Sequence, residues 1–163
     1  MRDFRLFVPR CADVRDKKDL DSYGALVLSA VGDGVHTLFL RSALSYAYRY
    51  KTEELHCAVS EYARAEAQAV ALTRLLPLLT EEELRVVRRG KNARPRTIPK
   101  HATVSEYASA TAFEALTGYL YLSGNHERLC ALYNEIYGDT LPENIVSGAE
   151  TVIFEETKEG KKE

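Results

Sequence analysis

The sequence of 163 residues lacks the features that mark secreted and membrane-spanning proteins. Its first stretch, MRDFRLFVPRCADVRDKKD, is charged throughout and has no uninterrupted apolar segment, so we do not expect it to act as a signal peptide. No apolar run approaches the roughly 20 residues needed to span a bilayer, and there is no internal repeat or low-complexity segment. The length suits one domain with a substantial core and is short for two.

Cysteine is also scarce, since the chain has only Cys11, Cys57 and Cys130, and these lie far apart. An odd number without paired spacing argues against a disulfide framework and against a cysteine-based zinc site. Free thiols are typical of a reducing compartment, so we expect a cytoplasmic protein. The histidines form no cluster either, and a lone histidine on a helix is more often structural than catalytic; they are His36, His56, His101 and His126.

The window from Leu84 to Ser105 contains no acidic residue but seven lysines or arginines. The window therefore has a net charge of +7, and since the whole chain has a net charge of −2, the remainder carries −9. A local excess of positive charge suggests a polyanion bound at one place. One glycine and two prolines predict a long exposed loop from residue 88 to 101. Such a loop is either a solvated connection or a phosphate-binding segment, since loops beyond about 12 residues are usually functional or disordered. The basic residues without acids favour phosphate binding, and the candidate phosphate-binding residues, which become candidate RNA-binding residues if the polyanion is RNA, are Arg88, Arg89, Lys91, Asn92, Arg94, Arg96 and Lys100.

Apolar residues recur at helical spacing through most of the chain, which predicts an all-α helical bundle. We expect helices over about 21–50, 52–79, 80–89, 103–124 and 125–138. Thr80 and Thr103 each open a capping box of the form T-x-x-E, and Gly124 and Gly138 mark helix ends. Residues 1–20 are then an N-terminal arm, residues 21–138 the folded domain, and residues 139–163 an acidic, polar C-terminal tail.

Gly32-Asp33-Gly34 falls inside the first predicted helix, where each glycine costs roughly 1 kcal/mol relative to alanine. In one interpretation the helix breaks here and Asp33 caps a second helix, because Gly-Asp-Gly is typical of turns. In the other, the helix is continuous and the glycines allow another helix or a ligand to approach closely beside Asp33. The local sequence favours the break.

Two apolar segments each carry a single carboxylate. Leu26 to Leu40 carries Asp33, and Ala110 to Leu122 carries Glu114. A carboxylate is almost never fully buried without a partner. Small residues near both acids permit close helix approach, which favours a crossing of the two segments at the acids and makes them a candidate divalent-metal site. The alternative for Glu114 is a core glutamate satisfied by an arginine or a backbone amide, and these residues alone favour that alternative.

Several sequence elements resemble one nuclease family. GDGV within LVLSAVGDGVHTLFL resembles the GDAV element of the ribonuclease III catalytic domain, and FEALTGYLYL resembles that family's FEALIGYLYL element. RRGKNARPRTIPK followed by TVSEYASATAFEAL is similar to the mini-ribonuclease III branch, which lacks the separate double-stranded-RNA-binding domain, and AVSEYARAEAQAVAL fits the same branch. The resemblance covers about residues 23–132.

The resemblance implies an all-α, homodimeric ribonuclease III-like endonuclease domain that binds double-stranded RNA across the dimer. It further implies hydrolysis with Mg²⁺, or Mn²⁺ as a substitute, without an organic cofactor. Asp33 takes the role of the GDAV aspartate and Glu114 that of the FEAL glutamate, both as catalytic residues and metal ligands. The usual substrate of the mini branch is a precursor of the large (23S) ribosomal RNA.

The chain departs from the family pattern at three positions. The wider family usually has acids where this chain has Ser29 and Thr111, and the mini branch often has an acid at the position of Thr37. Fewer carboxylates predict fewer protein ligands and more metal-bound water. The departures motivate an alternative, a nuclease-like protein that binds double-stranded RNA without cleaving it. A helical interaction module with no RNA role is a third possibility.

Overall fold

The structure of the protein is a computed structural model that describes residues 15–93 and 103–138. None of these residues lies in a β-strand, which confirms the predicted all-α fold. No helix in the described stretches is long and apolar enough to cross a membrane. The elements are α1 Lys17–Ser22, α2 Ala25–Ala47, α3 Thr52–Ala63, α4 Ala65–Leu75, a 3-10 turn Leu76–Leu78, α5 Glu81–Asn92, α6 Val104–Leu122 and α7 His126–Tyr137.

α6 is the central helix, and α2, α4 and α5 all pack against it. Every α6 residue from Ala110 to Leu120 is buried except Glu114, which is half-buried. A helix that is apolar on all sides is stable in water only when other elements enclose it. The enclosing core side chains include Leu28, Phe39 and Leu44 from α2, Leu72 and Leu75 from α4, and Val86 and Val87 from α5.

α2 and α6 cross with their backbones in direct contact. A Cβ atom added to Gly32 would lie 1.8 Å from the backbone oxygen of Glu114, and one added to Gly118 would lie 2.1 Å from that of Leu28. α2 is continuous through this point, so the favoured prediction of a helix break at Gly32-Asp33-Gly34 is wrong. Packing of α2 along α6 outweighs the modest helix-propensity cost of the glycines. Of these two glycines, Gly32 is required by contact, whereas a Cβ atom on Gly34 would meet none of the described residues within 4 Å.

The two glycines of α2 form a matched pair for a stability test. In Gly32→Ala the new methyl overlaps backbone atoms of α6 that cannot rotate away, and we expect the free energy of unfolding to fall by at least about 1–3 kcal/mol. Gly34→Ala should gain up to about 1 kcal/mol from helix propensity, with no contact to lose. Urea denaturation of both variants measures the difference, and equal midpoints would contradict the crossing.

α5 extends to Asn92, so the loop predicted from residue 88 is wrong over its first five residues, which are helical. The physical reason is packing. A Cβ atom on Gly90 would lie 2.5 Å from the Cα of Ala112 on α6, and Arg89 donates a hydrogen bond to the backbone oxygen of Tyr23. Basic side chains in the last turn also suit the negative end of the helix dipole. The remaining candidates of that loop lie outside the described residues; they are Arg94, Arg96 and Lys100.

Most other helix ends lie close to their predicted positions. The helix predicted over 52–79 is divided, because Arg64 adopts an extended conformation between α3 and α4. Thr80 and Thr103 form the predicted capping boxes, and Gly124 has a positive φ of 69° just after α6. α1 runs across the predicted boundary between arm and domain, with Leu20 fully buried. The rest of the arm and the tail lie outside the described residues.

His36 is fully buried in an aromatic cluster between α2, α6 and α7. Its ring centroid lies 5.1 Å from that of Phe113 and 5.7 Å from that of Tyr133. The Nδ1 atom is 3.3 Å from the Tyr133 hydroxyl oxygen. Burial lowers the pKa of His36 from its usual 6.5 to about 4, although the nearby backbone of Tyr62 acts in the opposite direction. The side chain is therefore a neutral core residue at pH 7, which confirms the structural interpretation of this histidine.

The lowered pKa of His36 makes folding sensitive to acid. As the pH falls below 6.5, the unfolded chain binds this proton before the folded chain does, so stability is lost progressively down to about pH 4. The loss should reach on the order of 3 kcal/mol. His36→Phe keeps a ring among the aromatic neighbours and should show a much smaller fall in urea midpoint between pH 7 and pH 5. The carboxylates titrate in both proteins, so an equally steep fall in the variant would contradict the assignment.

Candidate active site

The α2–α6 crossing brings the two candidate carboxylates together. Asp33 follows Gly32, whose backbone touches that of Glu114. Asp33 is exposed and Glu114 half-buried, and the negative charge of Asp33 is one of the causes that raise the pKa of Glu114. The prediction that the two segments cross at the acids is confirmed, and the metal-binding and catalytic roles of the acids remain predictions.

The Glu114 carboxyl group is partly withdrawn from water and held by its neighbours. Ser29, one turn before Asp33 on α2, donates a hydrogen bond of 2.6 Å from its Oγ to Glu114 Oε2. Burial raises the pKa of Glu114 and the charge of Asp33 adds to this, whereas the hydrogen bond from Ser29 and the neighbouring amide of Gln68 lower it. Within residues 15–93 and 103–138 no arginine pairs with Glu114, and the hydrogen bond to its carboxyl group comes from the Ser29 hydroxyl.

Gln68 and Ser29 are the site residues that sequence reasoning missed. Ser29 was recognised only as a departure from the family pattern, although it lies four residues before Asp33 and therefore on nearly the same side of α2. The sequence signal for Gln68 is its position on α4. It shares the buried stripe of α4 with Ala71, Leu72 and Leu75, and is the polar member of that stripe.

The other two departures lie on the same pair of helices. Thr111, one turn before Glu114 on α6, is buried, and Thr37 on α2 is half-buried. Neither contributes a negative charge. Among the described residues no group of three or more His, Cys, Asp or Glu side chains is placed to hold a metal ion. Any cation at this site would therefore have two protein carboxylates close to it.

The donor set fits a hard divalent cation. Mg²⁺ prefers oxygen ligands, keeps several of its waters, and is commonly bound through one or two carboxylates together with substrate phosphates. Asp33 supplies an exposed carboxylate, and Glu114 a recessed one whose Oε2 is already engaged by Ser29. Gln68, a neighbour of Glu114, is buried with an Nε2 that has no hydrogen-bond partner among the described residues.

The described basic candidates lie at the C-terminal end of α5. Arg88 is exposed, with its Nη2 3.7 Å from a Glu81 carboxylate oxygen, and Lys91 and Asn92 are also exposed. Arg89 differs from these, because its guanidinium donates a hydrogen bond to the Tyr23 carbonyl oxygen. Its Nη1 atom also lies 3.9 Å from Asp21 Oδ1. Arg89 and Asn92 line a shallow depression with Leu26 and Val27, so the end of α5 lies beside the start of α2.

Comparison with known proteins agrees with the fold. The family model described as "Ribonuclease III domain" matches residues 26–125. Mini-ribonuclease 3 of Brevibacillus brevis is 42% identical over 120 residues, which span 74% of this chain and 90% of that protein. Mini-ribonuclease 3 of Symbiobacterium thermophilum is 46% identical over 104 residues, which span 64% of this chain and 80% of that one. The crystal structure of protein FN1578 from Fusobacterium nucleatum superposes with a TM-score of 0.66 at 30% identity, covering 71% of this chain and 93% of that chain.

Proposed function

Because the chain belongs to the ribonuclease III family, we propose that it is a metal-dependent endoribonuclease that hydrolyses phosphodiester bonds in double-stranded or structured RNA. Asp33 and Glu114 are its catalytic residues and bind Mg²⁺, with Mn²⁺ as a substitute. The observation that carries the proposal is the meeting of these two carboxylates at the α2–α6 crossing, where Gly32 and Gly118 allow the backbones to touch.

The two acids have different surroundings and therefore different tasks. A bound Mg²⁺ would supply a nucleophilic water at neutral pH and neutralise charge on the phosphate. Exposed Asp33 lies where a substrate phosphate can approach, whereas Glu114 is fixed by the hydrogen bond from Ser29. Because the pKa of Glu114 is raised, this carboxylate loses its charge at a higher pH than an ordinary glutamate. Binding of a cation should weaken correspondingly early on acidification.

Recognition of RNA is assigned to the basic window. Duplex RNA is bound mainly through its shape, phosphates and 2′-hydroxyls. Arg88, Lys91 and Asn92 are exposed at the end of α5 and suit phosphate contact, together with the three basic residues that follow. Arg89 anchors this end of α5 to Tyr23 and is the weaker candidate. Following the resemblance to the mini branch, the proposed substrate is 23S ribosomal RNA precursor, processed in the cytoplasm.

We also propose that the active form is a homodimer, and the outward face of α2 supports this. Leu26, Val27 and Leu38 are 45%, 51% and 47% exposed, and Ala30 and Gly34 between them are exposed as well. An apolar stripe along a whole helix is typical of a surface that another protein covers. Asp33 lies at the edge of this stripe, so a second copy docked there would bring two sites close together.

The catalytic assignment predicts loss of cleavage without loss of fold. Asp33→Asn and Glu114→Gln keep the shape of each side chain and remove its charge. The rate of Mg²⁺-dependent cleavage of a perfect RNA duplex should therefore fall by about a thousandfold, which lies within the range for loss of one catalytic group. Gel analysis of cleavage with and without Mg²⁺ measures this, with circular dichroism as the control for folding. Undiminished cleavage by both variants would rule out these residues.

The same duplex distinguishes the enzyme from a binding protein that has lost catalysis. Asp33→Asn should still bind the RNA, whereas a triple alanine variant at Arg94, Arg96 and Lys100 should bind more weakly and with a smaller dependence on salt, because fewer counterions are released. Tight binding by the wild type with no cleavage in Mg²⁺ or Mn²⁺ would favour the inactive alternative. Unchanged affinity of the triple variant would count against RNA recognition by this window.

Two valines of similar exposure provide a test of the dimer and its matched control. Val27 on the outward face of α2 is 51% exposed and Val70 on α4 is 55% exposed. Val27→Asp places a charge in the proposed interface and should convert the dimer to a monomer. Val70→Asp makes the same chemical change elsewhere and should leave the dimer intact. Light scattering on the eluting protein reports both masses, and a monomeric wild type at working concentration would refute the proposal.

A further inference from the structure

Gln68 is the single glutamine of the chain and is only 1% exposed. It projects from α4 into the core together with apolar residues, yet its Nε2 has no hydrogen-bond partner in the part of the chain that the structure describes. Burial of an amide donor without a full hydrogen bond destabilises the folded state, and an apolar side chain would fill the same place without that cost. The presence of an amide here therefore points to a function other than packing.

The amide of Gln68 is a neighbour of the Glu114 carboxyl group, because α4 packs directly on α6. It favours the charged form of Glu114, although Nε2 makes no hydrogen bond with the described residues. Ser29 holds the same carboxyl group from α2, through the 2.6 Å bond to Oε2. Glu114 on α6 thus lies between a hydroxyl from one neighbouring helix and an amide from another.

Both supporting groups are uncharged, which matters beside a cation site. An arginine or lysine in either position would pair with Glu114 and compete with the cation. A further carboxylate would add repulsion to that between Asp33 and Glu114. A hydroxyl and an amide can orient Glu114 and leave the negative charge of the pair available. Groups that orient metal ligands in this way commonly control metal affinity.

We propose that Gln68 is a positioning residue of the metal site, whose amide acts with the Ser29 hydroxyl to hold the Glu114 carboxylate toward Asp33, so that both acids present oxygens to one divalent cation. The proposal rests on the proposed function, since it requires a cation at Asp33 and Glu114. It adds a third helix, α4, to the two that carry the acids.

A first experiment uses the unaltered full-length chain without RNA. Because Gln68 is the single glutamine, labelling glutamine side chains with ¹⁵N gives one pair of amide proton signals in the NMR spectrum. We expect slow solvent exchange of this pair, and a shift on titration with Mg²⁺ that disappears in Asp33→Asn. Signals that stay unmoved while backbone signals at Asp33 saturate would overturn the proposal.

A second experiment measures Mn²⁺ affinity from the electron paramagnetic resonance signal of free Mn²⁺, again without RNA. Gln68→Met keeps length and volume but removes the amide, and should weaken Mn²⁺ binding by about tenfold or more while the melting temperature is kept or raised. Ser29→Ala should weaken binding similarly, and Ser29→Thr should restore it. Thr73→Met, at an exposed position of α4, is the matched control and should bind like the wild type.

The outcomes separate this proposal from the proposed function. If Asp33→Asn and Glu114→Gln bind Mn²⁺ like the wild type, the metal site itself is refuted. If these two variants lose Mn²⁺ while Gln68→Met binds normally, the metal site stands and the positioning role of Gln68 is refuted. If Gln68→Met does not fold, the NMR titration of the unaltered chain decides.

Discussion

The close contact between the backbones of α2 and α6 is the constraint on which the rest of the structure depends. Gly32 and Gly118 carry no side chain at the point where the helices touch, and any Cβ atom there would overlap the other backbone. Helices with larger residues at their contact lie 8–10 Å apart. The absence of two side chains brings Asp33 and Glu114, which are distant in sequence, to the same place without any loop to carry them.

The close contact between α2 and α6 has an electrostatic consequence for the two acids. Two carboxylates brought close together repel each other, and the repulsion is partly responsible for the raised pKa of Glu114. The groups beside Glu114 that favour its charged form are uncharged. They are the Ser29 hydroxyl and the Gln68 amide, and neither neutralises the negative charge as a lysine or arginine would. Two nearby carboxylates without a positively charged partner among the described residues are the setting in which the proposed divalent cation would bind.

α2 serves several purposes because its faces have different neighbours. Its inner face supplies core residues such as Phe39 and Leu40, and the buried ring of His36. The face toward α6 carries the glycine contact and Ser29, while the outer face leaves Leu26, Val27 and Leu38 exposed. The low average polarity of this helix thus reflects burial on one side and an uncovered apolar stripe on the other. Sequence periodicity alone does not separate these two causes.

The sequence by itself determined the all-α fold, the capping boxes at Thr80 and Thr103, and the pairing of Asp33 with Glu114, because each depends on local residue pattern or on motifs that are short and specific. Tertiary structure decided the features that depend on neighbours distant in the chain. Gly-Asp-Gly favours a turn locally, yet contact with α6 keeps α2 helical. Gly90 suggests a loop, yet contact with Ala112 keeps α5 helical to Asn92. Gln68 is one polar residue in an alanine-rich helix until packing of α4 against α6 places its amide beside Glu114.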